Sequence, residues 1–167
     1  MNVFEFDAFE FSRLNERREG QAAIADMSRL AEELAEKSGS LNWSLQGGSD
    51  KFGHPQLTLS VSGAVQLRCQ RCLAPFVFDI ASESILILAK NEAGADEIDE
   101  LLADDTIDVI VGSKTLNIIE LIEDEALLAL PLSPKHMVCP DAAELDALMK
   151  AKQDSPFASL KDLKQKQ

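Results

Sequence analysis

The stretch Leu67–Phe76, LRCQRCLAPF, is the centre around which the rest of the chain is arranged. It contains two of the three cysteines at CxxC spacing, and an arginine precedes each of them. Residues of alternating polarity lie on both sides, and Ala74-Pro75 is a turn signal. We therefore expect Cys69 and Cys72 to lie where one strand ends and the next begins.

Alternation of apolar and polar residues continues outward from this stretch in both directions. Because side chains on a strand point alternately to the two faces of a sheet, each such run indicates a strand with one buried face. The runs are Leu41–Leu45, Leu57–Val61, Val65–Leu67, Phe76–Ile80, Ile85–Leu88 and Ile107–Val111, with turn signals between them, among them Gly53-His54-Pro55 and Ser62-Gly63. The pattern predicts an antiparallel sheet of about five or six short strands.

Helical spacing replaces the alternation in two places. Apolar residues at helical spacing fill Leu116–Leu130, where Asn117 is a candidate N-cap and Glu120 completes a capping box. A second amphipathic run begins after Asp26 and ends at Gly39. Strands and helices in this order indicate an α+β fold, with the helices packed mainly on one face of the sheet.

The two ends of the chain are less strongly patterned. Asp7 can cap a short helix that runs to about Arg18, whereas the alternation of Phe4 and Phe6 equally favours an edge strand. Near the other end, an Asp141/Glu144 capping box predicts a helix through about Lys152, and Ser155-Pro156 predicts a short helix after it. We expect one α+β domain over residues 1–154 and a loosely docked basic tail over residues 155–167.

Two acidic segments are candidate faces for a basic partner. Residues 91–108 contain eight acidic and no basic residues, which is typical of a mobile, solvated loop, although Ile98, Leu101 and Leu102 allow a short helix. The second segment is a charged stripe on the Leu116–Leu130 helix. The candidate residues are Asp96, Glu97, Asp99, Glu100, Asp104, Asp105, Glu123, Asp124 and Glu125. A face that only improves solubility is the alternative.

The composition limits which partners and which cellular compartment suit this chain. The net charge of −13 repels a phosphate backbone unless basic residues are concentrated, and it favours a basic protein partner. The acidic residues near the N-terminus do not resemble a signal peptide, and no apolar run is long enough to span a bilayer. We therefore expect a cytoplasmic protein, in which cysteines are thiols or metal ligands.

The third cysteine follows a histidine at HxxC spacing. Cys69, Cys72, His136 and Cys139 form two local pairs of soft or borderline donors, and four such ligands suit a tetrahedral zinc site. The alternative is that the cysteines pack as small reduced apolar residues and His136 is exposed. A thioredoxin-like redox role is disfavoured, because a strand pattern instead of a helix follows the CxxC.

Arg68 and Arg71 flank the cysteines and have two possible roles. They can contact RNA phosphate or an acidic partner, or they can pair with local carboxylates. No carboxylate pair lies near a histidine or nucleophile at a recognisable catalytic spacing, so we expect no enzymatic activity.

Three stretches together resemble the bacterial YceD family, the large ribosomal RNA subunit accumulation proteins. They are LRCQRCL at residues 67–73, the acidic helix LIEDEALLALP at residues 121–131 with Pro134 and His136 after it, and SPFASL at residues 155–160. The resemblance implies a cytosolic, non-enzymatic role in making or keeping large-subunit ribosomal RNA. It also implies a small basic large-subunit ribosomal protein as partner. Some family members carry a second cysteine pair where this chain has His136 and Cys139.

The predicted function is a ribosome biogenesis factor that supports synthesis, processing or accumulation of large-subunit (23S) ribosomal RNA. It would act by holding a basic large-subunit ribosomal protein on its acidic faces, or by binding precursor ribosomal RNA through Arg68, Arg71 and the basic chain ends. The charge balance favours the first route. The alternative is a small zinc-binding or thiol-dependent regulatory protein unrelated to ribosomes.

Overall fold

The computed structural model describes residues 4–139. It has seven strands, four α-helices and one 3₁₀ turn within those residues. In chain order they are β1 Glu5–Phe6, α1 Ala8–Arg13, β2 Arg17–Ala23, the 3₁₀ turn Ile24–Asp26, α2 Ser28–Glu33, β3 Ser40–Ser49, β4 Pro55–Arg68, β5 Pro75–Ala89, α3 Glu92–Leu102, β6 Ile107–Val111, β7 Leu116–Asn117 and α4 Ile118–Ala129. The predicted α+β class is confirmed. The predicted helices after Cys139 and the 154/155 domain boundary lie outside the described residues.

Five strands form the main sheet in the order β2-β3-β4-β5-β6, and all neighbours except β5 and β6 are antiparallel. The expectation of uniformly short strands is wrong, because β4 has 14 residues and β5 has 15. The predicted break at Ser62-Gly63 is absent. A Cβ at Gly63 would lie 2.8 Å from Leu41 Cδ2, so glycine allows β3 to approach β4 closely there.

The acidic segment is not the mobile loop that its charge suggests. Most of it forms helix α3, as the alternative of a short helix at Ile98, Leu101 and Leu102 allows. The Asn91 side chain accepts a hydrogen bond from Gly94 N–H at 2.8 Å, Ala103 ends the helix in the left-handed conformation, and Ala95 is buried. Because α3 carries the chain back across the sheet, β6 lies parallel to β5. The prediction of a purely antiparallel sheet is wrong at this pair.

Both expectations for the N-terminal segment hold in part. Phe6 lies in β1, which pairs with β7, and Asp7 caps α1 by accepting hydrogen bonds from Phe9 N–H and Glu10 N–H. The helix ends at Arg13 and does not reach Arg18, because the chain turns into β2. A Cβ at Gly47 would lie 2.4 Å from the Phe11 carbonyl oxygen. Glycine at this position therefore lets α1 pack directly on the backbone of β3.

Helix α4 begins as its sequence predicts, with the Asn117 side chain accepting a hydrogen bond from Ile119 N–H at 2.9 Å. Helix α2 is shorter than predicted. It starts at Ser28, and the chain leaves it at Leu34 so that Ala35 N–H can bond to the Gln66 carbonyl at the end of β4. Both helices contribute to the core, which also takes residues from α1 and from one side of the sheet. The core members from the three helices are Ala8, Phe11, Leu30, Ala31, Ile118, Ile122 and Ala126.

Candidate metal centre

The connection between β4 and β5 is a tight turn that carries the CxxC, as the sequence predicts. Leu73 N–H bonds to the Cys69 carbonyl at 2.9 Å, and Cys69 N–H bonds to the Ala74 carbonyl at 3.0 Å. Leu73 adopts a left-handed conformation with φ of 64°, which lets the chain reverse between the two strands. The turn holds Cys69 fully buried and leaves Cys72 half-buried.

The segment that follows α4 lies against this turn. Pro131 cannot continue the helix, and the chain runs extended past it. Gln70 N–H then bonds to the Pro134 carbonyl at 2.9 Å, and the Ser133 hydroxyl bonds to Gln70 Oε1 at 2.8 Å. These contacts bring His136 and Cys139 to the CxxC turn from more than sixty positions away in the sequence.

Four side chains meet at this place, and we call them the cysteine–histidine cluster: Cys69, Cys72, His136 and Cys139. Their donor atoms all lie within 4.8 Å of one another. Cys69 Sγ is 3.9 Å from Cys139 Sγ, and Cys72 Sγ is 3.3 Å from His136 Nδ1. Zinc–sulfur bonds of about 2.3 Å in a tetrahedron separate two sulfur ligands by about 3.8 Å. The cluster is therefore close to the size that a zinc ion requires.

The surroundings of Cys69 stabilise a thiolate. Burial by itself raises the pKa of the Cys69 thiol, but hydrogen bonds from the backbone N–H groups of Cys72, His136 and Arg71 outweigh it and lower the pKa to about 5. Two of these groups, on Arg71 and His136, lie 3.4 Å from Sγ. Metal ions bind the thiolate form, so this turn holds one ligand ready for a cation.

The pKa of the Cys139 thiol is shifted in the opposite direction. Burial, together with hydrogen bonds shared with Cys72 and Cys69, raises the pKa of its thiol above the usual value. Two thiolates this close repel each other unless a positive charge lies between them. The cluster thus offers a partly buried, electron-rich donor set, and a cation between its sulfur atoms would favour their thiolate forms. The chemistry of the donors, three sulfurs and one imidazole nitrogen, suits zinc.

Among residues 4–139, the two arginines beside the cysteines bond to backbone carbonyls and not to carboxylates. Arg68 Nη1 donates to the Leu73 carbonyl at 3.1 Å, which braces the turn. Arg71 Nη2 donates to the carbonyl of His136, which joins the two halves of the cluster. Both side chains are exposed to solvent. Their contacts are structural, and their guanidinium groups remain partly accessible to solvent.

The acidic residues divide into two groups of different accessibility. Asp96, Glu97, Asp99 and Glu100 of α3, and Asp104 and Asp105 after it, are all exposed. The prediction of an accessible stripe on α4 is wrong for two of its three members. Glu123 and Glu125 are buried, since α4 turns them toward α2 and β5, and only Asp124 is exposed.

Arg29 explains why Glu123 can be buried, and no feature of the local sequence marks this arginine. Glu123 Oε1 accepts hydrogen bonds from Arg29 N–H at 2.7 Å and Leu30 N–H at 3.1 Å, and Arg29 Nε bonds to Oε2 at 2.9 Å. The Arg29 guanidinium also pairs with Asp124. Glu125 instead accepts a hydrogen bond from the hydroxyl of Ser82 on β5. No local pattern signals contacts between residues so far apart in the chain.

Comparisons with known proteins extend beyond the three stretches of the sequence analysis. Residues 57–164 match the family described as "Large ribosomal RNA subunit accumulation protein YceD". A protein of that same name from Haemophilus influenzae is 30% identical in an alignment of 158 positions, and the alignment covers 88% of this chain and 87% of that protein. No solved structure gives a significant match. Among residues 4–139, no helix is long and apolar enough to cross a membrane.

Proposed function

The chain belongs to the YceD family of large ribosomal RNA subunit accumulation proteins, and from that premise we propose that it is a non-enzymatic ribosome biogenesis factor. In this role it supports synthesis, processing or accumulation of large-subunit (23S) ribosomal RNA in the cytoplasm. The observation that carries the proposal is the family match, which covers the sheet from β4 onward, the cysteine–histidine cluster and much of the chain after it. The alternative of a regulator unrelated to ribosomes has no support from the family.

Within this function we propose that the acidic surface of α3 holds a basic large-subunit ribosomal protein. The support is electrostatic. All the acidic side chains of α3 and of the turn after it are exposed, and residues 91–108 contain no lysine or arginine to neutralise them. Such a surface attracts a basic protein and speeds its association.

The experiment for this partner is affinity purification of the tagged protein from cells, with and without nuclease. A basic ribosomal protein that stays bound after nuclease is the expected result. The variant Asp96→Lys/Glu100→Lys reverses two exposed charges one helical turn apart on α3, and we expect it to lose that protein. The matched control, Glu32→Lys/Glu36→Lys, makes the same charge change at exposed positions near α2 and should retain it.

A second route, binding of precursor ribosomal RNA through Arg68 and Arg71, makes different predictions for the same purification. RNA would be recovered, and all bound material would be lost on nuclease treatment. Arg68→Ala/Arg71→Ala would then abolish recovery, while Arg13→Ala/Arg17→Ala, at two exposed arginines in local ion pairs, would not. Because Arg71 also contacts His136, zinc content is measured on the same samples, so that loss of structure is distinguished from loss of RNA contact.

We also propose that the cysteine–histidine cluster binds one structural zinc ion. The support is the size of the cluster, its donor types and the N–H groups directed at Cys69. All four positions are taken by protein side chains, which suits a structural ion and not a catalytic one. Metal analysis of untagged protein, purified without chelator, should give about one zinc per chain. A content far below that value contradicts the assignment.

A further inference from the structure

An apolar groove lies beside helix α3, where this helix meets α1 and the sheet. Its volume is about 480 Å³, which is in the range of sites that take a small molecule or a few side chains. Its apolar lining comes from three sides: Phe9 of α1, Pro55 and Leu88 of the sheet, and Ala93 and Ile98 of α3. A second cavity of about 360 Å³ shares Phe9 and Pro55 with it, so the groove continues along α1.

The walls of this groove are held in place by contacts within the protein. The Phe9 ring lies against the backbone of Gly112, where a Cβ would be 2.5 Å from Phe9 Cζ. The His54 ring, which also lines the groove, has its Nδ1 2.8 Å from Asp50 Oδ2. Asn91 caps the first turn of α3. Because the groove exists before any ligand binds, a ligand loses little affinity to reordering of the protein.

Large apolar side chains are exposed next to the groove. Phe52 is 53% exposed, and its ring centroid is 6.1 Å from that of His54, which lines the groove. Leu101 is 59% exposed and lies one helical turn after Glu97, another lining residue. Exposed apolar residues beside a preformed apolar groove indicate a surface that another molecule contacts.

The charges around the groove define the kind of molecule that fits it. None of the five carboxylates of α3 forms an ion pair with another residue among 4–139. Glu97 lines the groove, and Glu100 lies three residues further, which separates their Cβ atoms by about 5–6 Å. Lys90 adds one positive charge to the lining. The interior therefore suits an uncharged apolar side chain, whereas the carboxylates beside it suit lysine or arginine.

We propose that the groove receives one large apolar side chain of the basic ribosomal protein, while the α3 carboxylates bind lysine or arginine residues close to it in the partner's sequence. This inference rests on the proposed function, in which the acidic surface of α3 holds that partner. In an extended segment, side chains two positions apart lie on the same side and about 6.6 Å from each other. This distance is similar to that between Glu97 and Glu100. The recognised segment therefore has an apolar residue two positions from a basic one.

The two parts of this surface have different tasks. An apolar side chain in a preformed pocket contributes much of the affinity of an interface, whereas exposed ion pairs mainly speed association and select the sign of the partner's charge. The groove therefore distinguishes one basic segment from another, which the carboxylates of α3 alone do not.

The test is binding of two labelled peptides to the full-length protein, followed by fluorescence anisotropy at low ionic strength. One peptide has the sequence SKFSKRGS, and the other has serine in place of phenylalanine. We expect the phenylalanine peptide to bind about tenfold more tightly, because it buries an aromatic side chain. Asp96→Lys/Glu100→Lys should weaken both peptides, since both carry the same basic residues.

A variant that fills the groove isolates its contribution. Ala93 lines the groove and is exposed in the first turn of α3, so Ala93→Trp should occupy the groove without a change of charge. It should lose the preference for phenylalanine and still bind the serine peptide like the wild type, which also shows that the variant is folded. Ala81→Trp, at an exposed alanine of β5 that does not line the groove, is the matched control and should keep the preference.

The outcomes separate the groove from the acidic surface. If the wild type binds both peptides equally and the charge reversal abolishes binding, the basic partner of α3 stands and the groove proposal is overturned. A preference that persists in Ala93→Trp also overturns it. If the charge reversal leaves the phenylalanine peptide bound, the groove takes an apolar ligand and not a basic segment, which again contradicts the proposal. If neither peptide binds, the proposed basic partner fails together with the groove.

Discussion

Two places in this molecule tie together segments that are far apart in the chain, and they differ in how their charge is balanced. The first is the Glu123 junction, formed by Glu123 of α4 with Arg29 and Leu30 of α2. Its buried carboxylate accepts three hydrogen bonds and forms an ion pair with Arg29. At the cysteine–histidine cluster, four electron-rich donors face one another, with hydrogen bonds reaching mainly Cys69.

The difference shows where the compensating positive charge comes from. A buried anion is stable only when charge and hydrogen bonds replace the water it has lost. The Glu123 junction contains its own cation, Arg29, so it is complete as soon as the chain folds. The cluster has Arg71 nearby, but its guanidinium bonds to a carbonyl and not to a sulfur. If the proposed zinc assignment is right, the compensating charge is an ion from outside the chain.

Removal of zinc should therefore have the largest effect. If free zinc is present at about a thousand times its dissociation constant, a chelator should lower the free energy of unfolding by about 4 kcal/mol. Chemical denaturation with and without chelator measures this. Cys69→Ser should reproduce the loss, whereas Gln70→Ala, which removes only a side-chain bond to Ser133 from the same turn, should keep both zinc and stability. If the midpoint of denaturation is unchanged after chelation, the cysteine–histidine cluster does not depend on an ion, and the proposed difference from the Glu123 junction is wrong.

The Glu123 junction should respond to mutation and not to chelators. Glu123→Ala leaves the N–H groups of Arg29 and Leu30 without their partner, so we expect a loss of about 2–3 kcal/mol in the free energy of unfolding. Asp124→Ala is the matched control. It removes a carboxylate that pairs with the same arginine but is exposed, and it should cost less than about 1 kcal/mol. Equal losses in the two variants would show that burial does not matter at this junction.

Acidification gives a second measurement at the same junction. Burial raises the pKa of the Glu123 carboxyl, but the N–H groups of Leu30 and Arg29 and the guanidinium charge outweigh it, so the folded pKa lies below the usual value. A lowered folded pKa means that ionised Glu123 stabilises the protein above the unfolded pKa of about 4.3. This contribution is lost as the pH falls through the folded pKa. We expect the stability difference between wild type and Glu123→Gln to shrink over that range. Because both proteins keep the cluster, release of zinc by acid cancels in the comparison.

The cysteine–histidine cluster and the Glu123 junction also differ in how far the sequence predicts them. The four residues of the cluster are visible as candidates because cysteine and histidine at short spacing have few ordinary reasons to occur together. The position of the CxxC between two strands follows from the alternation on each side. The Glu123 junction has no such signal, since a glutamate on a helix is exposed by default and Arg29 lies 94 positions away. Only the tertiary packing of α4 on α2 shows that Glu123 is buried.

The fold shows the same division between local and long-range information. The Asn117 cap and the alternation in β3 to β5 depend on neighbouring residues, and the sequence predicts them. The acidic charge of α3 suggests a loop, because charge alone does not reveal that Ala95 packs and that Asn91 caps the helix. The Ser62-Gly63 pair resembles a turn, because the close approach of Leu41 from β3 is not visible in the local sequence.

The smallest predicted effect concerns Arg68 and Arg71. It compares two contacts at the cysteine–histidine cluster by their effect on zinc binding. Arg71 bonds to the carbonyl of His136, whereas Arg68 bonds to Leu73 within its own turn. Arg71→Ala should therefore weaken zinc binding by about tenfold, the usual cost of losing a group that orients a metal ligand. Arg68→Ala should change it less, because the turn keeps its backbone hydrogen bonds at Cys69 and Leu73. Competition with a zinc-binding dye measures both constants. If the two variants are equally weakened, orientation of His136 by Arg71 is not what joins the two halves of the cluster.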